Sequence, residues 1–134
     1  IYSILPRNRQ QIWGKCNVTV IFENIRNIRG LRGGWLNPQS PEWFYEYAKL
    51  MAAHFSDRVS HFFTFNEPQC TVGLGYVTGE HAPGLKVGPY DCFSIWHNVL
   101  KAHGRGVQAI REAAVRPVEI GMWKCKTIPE DSSD

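Results

Sequence analysis

The sequence lacks any apolar run approaching the roughly 20 residues of a membrane-spanning helix, and no signal-peptide pattern opens it. It also lacks cysteine pairing. Cys16, Cys70, Cys92 and Cys125 lie far apart with no Cys-x-x-Cys among them, so neither a zinc site nor a disulfide framework is indicated. Free thiols in a reducing cytoplasm are the expectation, with no metal and no cofactor. Charge of one sign is scarce as well. The net charge is +3, and Lys and Arg cluster only between Arg26 and Arg32, too little for the basic stripe that a nucleic-acid partner needs. Repeats and low-complexity tracts are missing too.

What is present is the composition of a globular protein. Hydrophobic residues make up 43% and charged residues 20% of 134, which is enough to build a core. Aromatic residues reach 13%, and such rings either fill a core or offer stacking surfaces to a flat apolar ligand face such as that of a sugar. The length fits one domain or a piece of a larger one. Because the chain opens on Ile1 and closes on the polar run Glu130-Asp131-Ser132-Ser133-Asp134, residues 1–134 are expected to be a single fragment. The composition leaves oligomeric state open.

Along the chain, residues 1–11 resemble the tail of a helix, and Asn17–Phe22 is a short β-branched run that reads as a strand. Gly33-Gly34 and Trp35-Leu36-Asn37-Pro38 read as a loop. A helix is expected from Ser40 as N-cap, with Pro41 at its first position and Glu42 in its first turn. Its apolar residues Trp43, Phe44, Tyr47, Leu50, Met51 and Phe55 recur at three and four, which predicts a buried face ending near Ser56-Asp57-Arg58. A second helix is expected from about Tyr90 to Ala114, with Phe93, Trp96, Val99, Leu100, Val107 and Ile110 on its stripe. Val118–Trp123 is a third strand. The order strand, helix, strand, helix, strand predicts an α/β fold with parallel strands joined by crossovers.

The central strand carries the chemistry. His61-Phe62-Phe63-Thr64-Phe65-Asn66-Glu67-Pro68 opens as an apolar, aromatic run suited to a strand buried on both faces, then delivers an amide, a carboxylate and a proline. Pro68 stops the ladder because it has no N–H to donate. One reading makes Glu67 a proton donor or acceptor at the mouth of a pocket, with Asn66 as an orienting hydrogen-bonder. The plainer reading is a turn that closes the strand and points Glu67 into water. The Gly-rich loop that follows, from Gly73 to Gly88, is too long for a plain connector.

Thr64-Phe65-Asn66-Glu67-Pro68 resembles the acid/base signature of glycoside hydrolase family 1, the β-glucosidase and 6-phospho-β-glycosidase family. Four other blocks agree in order and spacing: residues 33–37, 55–59, 75–84 and 97–104. The resemblance implies a (β/α)8 TIM barrel, of which this chain would supply roughly the third to fifth strands and the two helices between them. It implies a retaining β-glycosidase that hydrolyses a β-glucoside or related small sugar. Glu67 would be the general acid that protonates the departing glycosidic oxygen and then activates water, and Asn66 would hydrogen-bond the sugar 2-hydroxyl. A general acid at neutral pH needs its pKa raised by burial or a neighbouring carboxylate.

The sequence departs from the family in two places. The family's nucleophile lies in an Ile/Thr-Glu-Asn-Gly motif that this chain does not contain; its later glutamates, Glu80, Glu112, Glu119 and Glu130, are expected in a loop, a helix, mid-strand and the tail. Upstream, Ile21-Phe22-Glu23-Asn24 stands where the family has Tyr-His-Trp-Asp, so Phe22 replaces a sugar-binding His. Matching flanks without a gap fit either compensating frameshifts or divergence of the sugar site. His97 and His103 are six apart, on different helix faces, and are assigned to packing or support of the strand ends rather than to a metal. Trp35 and Trp43 are candidates for sugar stacking, with Trp43 assigned to the core stripe. For Tyr76 and His81, pocket lining and loop scaffolding both stand.

Overall fold

The computed structural model describes residues 33–123. The strand assigned to Asn17–Phe22, the segment 1–11, the Arg26 to Arg32 cluster, Phe22, Glu23, Glu130, Cys16 and Cys125 lie outside the described residues. Within them, a 3-10 turn at Gly34–Leu36 precedes helix α1, Ser40–Phe55. Strand β1, His61–Asn66, runs into the short helix α2, Pro68–Val72, and a π-helical turn, Gly73–Val77. Helix α3, Pro89–Ala113, then crosses to strand β2, Glu119–Trp123.

β1 and β2 pair in parallel, His61 opposite Glu119, Phe62 opposite Ile120 and Phe63 opposite Gly121, as the alternation of strands and helices predicts. The register then slips, because two residues between Phe63 and Asn66, Thr64 and Phe65, lie against one, Met122, between Gly121 and Trp123. This is a β-bulge in β1. Phe65 shows its effect. Its ring stacks on Phe44 of α1 with centroids 4.9 Å apart and tilts against Trp35 at 5.4 Å. Thr64, its neighbour in sequence, also lies on the helix side, near Gly106 of α3. Two successive residues facing the helices break the strand's alternation of two, and alternation resumed from Phe65 sends Asn66 to the opposite face, the face of Phe63.

Among the described elements the most extensive contact is α1 against α3. Both helices are where periodicity puts them, and each expected stripe is buried in part: Phe44 with Tyr47, Met51 and Phe55 packed beside it on α1, and Val99 and Ile110 with Trp96 packed beside them on α3. On α1 the buried residues are Ser40, Pro41, Phe44, Ala48 and Ala52, while Leu50 is exposed and Trp43 is half-buried and outside the core cluster. On α3 they are Ile95, Asn98, Val99, Ala102, Gly106, Ala109 and Ile110, while Phe93 and Leu100 are 75% and 57% exposed. The contact is close because small residues line it, and bulky residues at those positions would push the axes apart. Gly106 shows how close. A Cβ there would lie 2.5 Å from Cε1 of Phe44. Fully buried Phe44, Phe62, Tyr76, Ile95 and Ile110 each contribute on the order of 1.5–3 kcal/mol through burial.

Ser40 is not the N-cap. It is the first residue of α1, the capping position is Gln39 with no side-chain cap, and Asn37 Oδ1 accepts the Gln39 N–H at 2.9 Å instead. The Gly-rich loop is also more regular than expected. Pro68 starts α2 rather than a turn, since the first position of a helix needs no N–H and favours proline's φ.

Candidate active site

The two ends of the strand pair differ in chemistry. At their start, the His61 imidazole meets Glu119 at 3.0 Å, and Ser60 Oγ lies 2.9 Å from His61 Nδ1. Glu119 therefore begins β2 rather than sitting mid-strand, and it is committed to this pair at the end remote from Glu67. At the other end β1 delivers Asn66 and Glu67.

Glu67 is half-buried and caps α2 with φ 45° and ψ 60°, the left-handed region that non-glycine residues seldom enter. Among the described residues, no other non-glycine residue has positive φ. Such conformations cost on the order of 1–3 kcal/mol and cluster at functional sites. The carbonyl of Glu67 accepts the N–H groups of Cys70 at 2.8 Å and Thr71 at 3.3 Å. Its Oε2 accepts the thiol of Cys70, with Sγ at 3.5 Å. Cys70 was not foreseen, although a proline that opens a helix after Glu67 puts residue 70 one turn on, where side chains three apart are neighbours.

Behind the site, Thr64 is fully buried and ties three elements together. Its Oγ1 lies 2.7 Å from His103 Nδ1 of α3 and donates to the carbonyl of Gly121 in β2 at 3.3 Å. Burial lowers the His103 pKa from the usual imidazole value. His103 thus supports the strand end, as expected, while His97 is exposed. Among the described residues no group of three or more His, Cys, Asp or Glu comes together to hold a metal ion.

Trp35 is no sugar platform. It is buried, its ring packs against Phe44 and Phe65, its backbone N–H donates to Tyr76 Oη at 3.0 Å, and its carbonyl accepts from Asn98 Nδ2 at 2.8 Å. Tyr76 is therefore scaffolding, buried beneath the loop whose backbone bonds run from Leu85 and Val87 to Gly75 and Tyr76. Gly75 has no room for a side chain, since a Cβ would lie 2.9 Å from the Ala82 carbonyl oxygen. His81 is exposed, and its N–H donates to the Leu74 carbonyl. Glu112 is engaged on α3, accepting hydrogen bonds from Tyr45 and Gln108, which hold its pKa below the usual carboxylate value. Glu80 lies exposed in the loop.

The C-terminal ends of parallel strands are where α/β barrels place their active sites, and Glu67 stands at such an end. Comparison with known proteins identifies the family. The model of glycosyl hydrolase family 1 matches residues 18–133. The chain is 41% identical over 105 residues to 1,4-beta-D-glucan glucohydrolase of Thermotoga neapolitana and 40% identical over 105 residues to beta-glucosidase A of Thermotoga maritima. Each alignment covers 78% of this chain but only 24% and 23% of those proteins. Solved structures of Thermotoga maritima β-glucosidase, in complex with methoxycarbonyl-substituted glucoimidazole and with deoxynojirimycin, superpose with a TM-score of 0.63 at 40% and 39% identity, over 67% of this chain and 20% of theirs. These neighbours are TIM barrels, of which the described α/β unit reproduces a part. The chain belongs to glycosyl hydrolase family 1.

Proposed function

We infer that residues 1–134 are a single piece of the catalytic domain of a retaining β-glycosidase, β-glucosidase-like, supplying roughly the third to fifth barrel strands. Glu67 is its general acid/base and Asn66 its hydrogen-bonding partner for the sugar 2-hydroxyl. The observation that carries this reading is the placement of Glu67, strained and half-buried, at the end of β1. The named ligands of the solved relatives favour a glucose-like ring as the substrate's sugar.

Glu67 protonates the departing oxygen and later takes a proton from water. Between these steps a nucleophile about 5–5.5 Å away must hold the sugar. Glu112 and Glu119 are tied to Tyr45 and His61, and the family's nucleophile motif is not in the chain. The 134 residues therefore supply half of a catalytic pair. The purified chain is expected to release no nitrophenol from an aryl β-glucoside. Release that Glu67→Gln abolishes would overturn the missing-nucleophile reading.

A second reading rests on Phe22, which stands where the family has a sugar-binding His. A non-catalytic carbohydrate- or partner-binding relative would bind glucose or a glycosidase inhibitor without turnover, and calorimetric titration tests this. A product with no independent function is the third. A barrel piece with incomplete sheet pairing should aggregate or lack fixed packing, and a cooperative thermal transition counts against it.

A further inference from the structure

An acid/base carboxyl is effective only when it is held in one position. Glu67 leaves β1 in a left-handed conformation, and its carbonyl closes the first turn of α2 on Cys70 and Thr71. That turn sets the side chains of residues 67 and 70 beside each other, with Sγ 3.5 Å from Oε2. Cys70 is half-buried and not in a disulfide. A thiol is a weak donor, yet a carboxylate acceptor strengthens the bond.

We propose that Cys70 is a positioning residue for Glu67, its S–H donating to Oε2 and fixing the carboxyl rotamer over the end of β1. The proposal rests on Glu67 being the acid/base. Cys70 itself touches no substrate and exchanges no proton with it. Its tie to the backbone is short, because the same residue's N–H anchors the Glu67 carbonyl at 2.8 Å. Carbonyl and carboxyl of Glu67 thus both bond to Cys70.

The test uses the chain itself. Iodoacetamide alkylation is followed at Cys70 and Cys92 by peptide mass spectrometry from about pH 6 to about pH 9, the thiolate being the reacting form. A carboxylate 3.5 Å away disfavours that thiolate, so Glu67→Gln should speed Cys70 alkylation about three- to tenfold at the lower pH values while leaving Cys92 unchanged. In chain labelled with 13C at the glutamate carboxyls, Cys70→Ala should move the Glu67 resonance and Cys70→Ser, which keeps a donor, should restore it. A purely space-filling Cys70 would give the same shift in both. Equal Cys70 rates with and without Glu67→Gln overturn the proposal, as does a native Cys70 rate equal to that of the urea-unfolded chain. These readouts report the contact whether or not any glycoside is hydrolysed, so failure of the glycosidase reading would be seen separately, in the nitrophenol assay.

Discussion

Thr64 of β1 and His103 of α3 meet at 2.7 Å between Oγ1 and Nδ1. The same hydroxyl lies 3.3 Å from the Gly121 carbonyl, so one side chain links β1, α3 and β2. Burial lowers the His103 pKa, so the unfolded imidazole takes up its proton at a higher pH than the folded one. Below about pH 6.5 the unfolded state therefore binds more protons, and stability falls as pH drops from there towards the folded pKa. Urea midpoints measured from about pH 7.5 to about pH 5 should decline, and His103→Gln should flatten that decline. An unchanged profile in the variant would assign the loss to another group.

Gly106 is expected to be intolerant for a reason of volume alone. A Cβ at 2.5 Å from Phe44 Cε1 cannot be relieved by rotating a free side-chain end, because Phe44 is fully buried and stacked on Phe65. Gly106→Ala should destabilise by about 1–3 kcal/mol despite alanine's better helix propensity. Gly104 makes a control, since nothing lies within 4 Å of its would-be Cβ, and Gly104→Ala should stabilise by up to about 1 kcal/mol. Urea denaturation of the two variants decides it.

The same close contact explains which parts of the fold the sequence disclosed. Helix bounds and the strand at His61 follow from proline, the run of apolar residues and the 3.6 period. The buried stripe follows only in part: Phe44, Val99 and Ile110 are buried as expected, whereas Phe93 and Leu100 carry more apolar area than Ala102 and Gly106 yet lie exposed, and only the fold reveals that α1 approaches too closely for large residues. Glu67 and Asn66 were legible as strand-end polar residues beside a proline. The bulge before Asn66 was not, since the register depends on the β2 partner and no local residue marks it. Trp35 misleads for a similar reason: its ring fits a sugar or a core equally well, and Phe44 of α1 and Phe65 of β1, whose rings it packs against, decide between them.

Arg105 and Glu42 join α3 to α1 at the surface, with Nη2 2.6 Å from Oε2 and Nε bonded to both carboxylate oxygens, and the guanidinium also covers the Tyr45 ring at 4.2 Å. The ion pair is screened by salt, the ring contact much less. Glu42→Gln should lower the urea midpoint slightly in low salt, and the difference from the parent chain should shrink when sodium chloride is raised to about 1 M. Tyr45→Leu should cost stability at both salt concentrations, because it removes the ring contact and the hydrogen bond to Glu112. If both variants respond to salt alike, the ring contact contributes nothing separate.

Glu67 pays a conformational penalty that a substitution can isolate. Its φ of 45° is a region that asparagine tolerates far better than other side chains with a Cβ. Glu67→Ala removes the carboxylate and keeps the strain, whereas Glu67→Asn removes the carboxylate and relieves much of the strain. The two variants lose the same charge and the same contact with Cys70 Sγ, so their difference reports the backbone. Glu67→Asn should be the more stable by about 0.5–1 kcal/mol in urea titration, and neither should act as a proton donor. Glycine is a poorer probe, because its gain at positive φ is offset by the extra freedom it gives the unfolded chain. Equal midpoints for the alanine and asparagine variants would mean that residue 67 does not hold the left-handed conformation in solution. The strain would then have no part in setting the direction of the carboxyl, which would be left to the bulge and to Cys70.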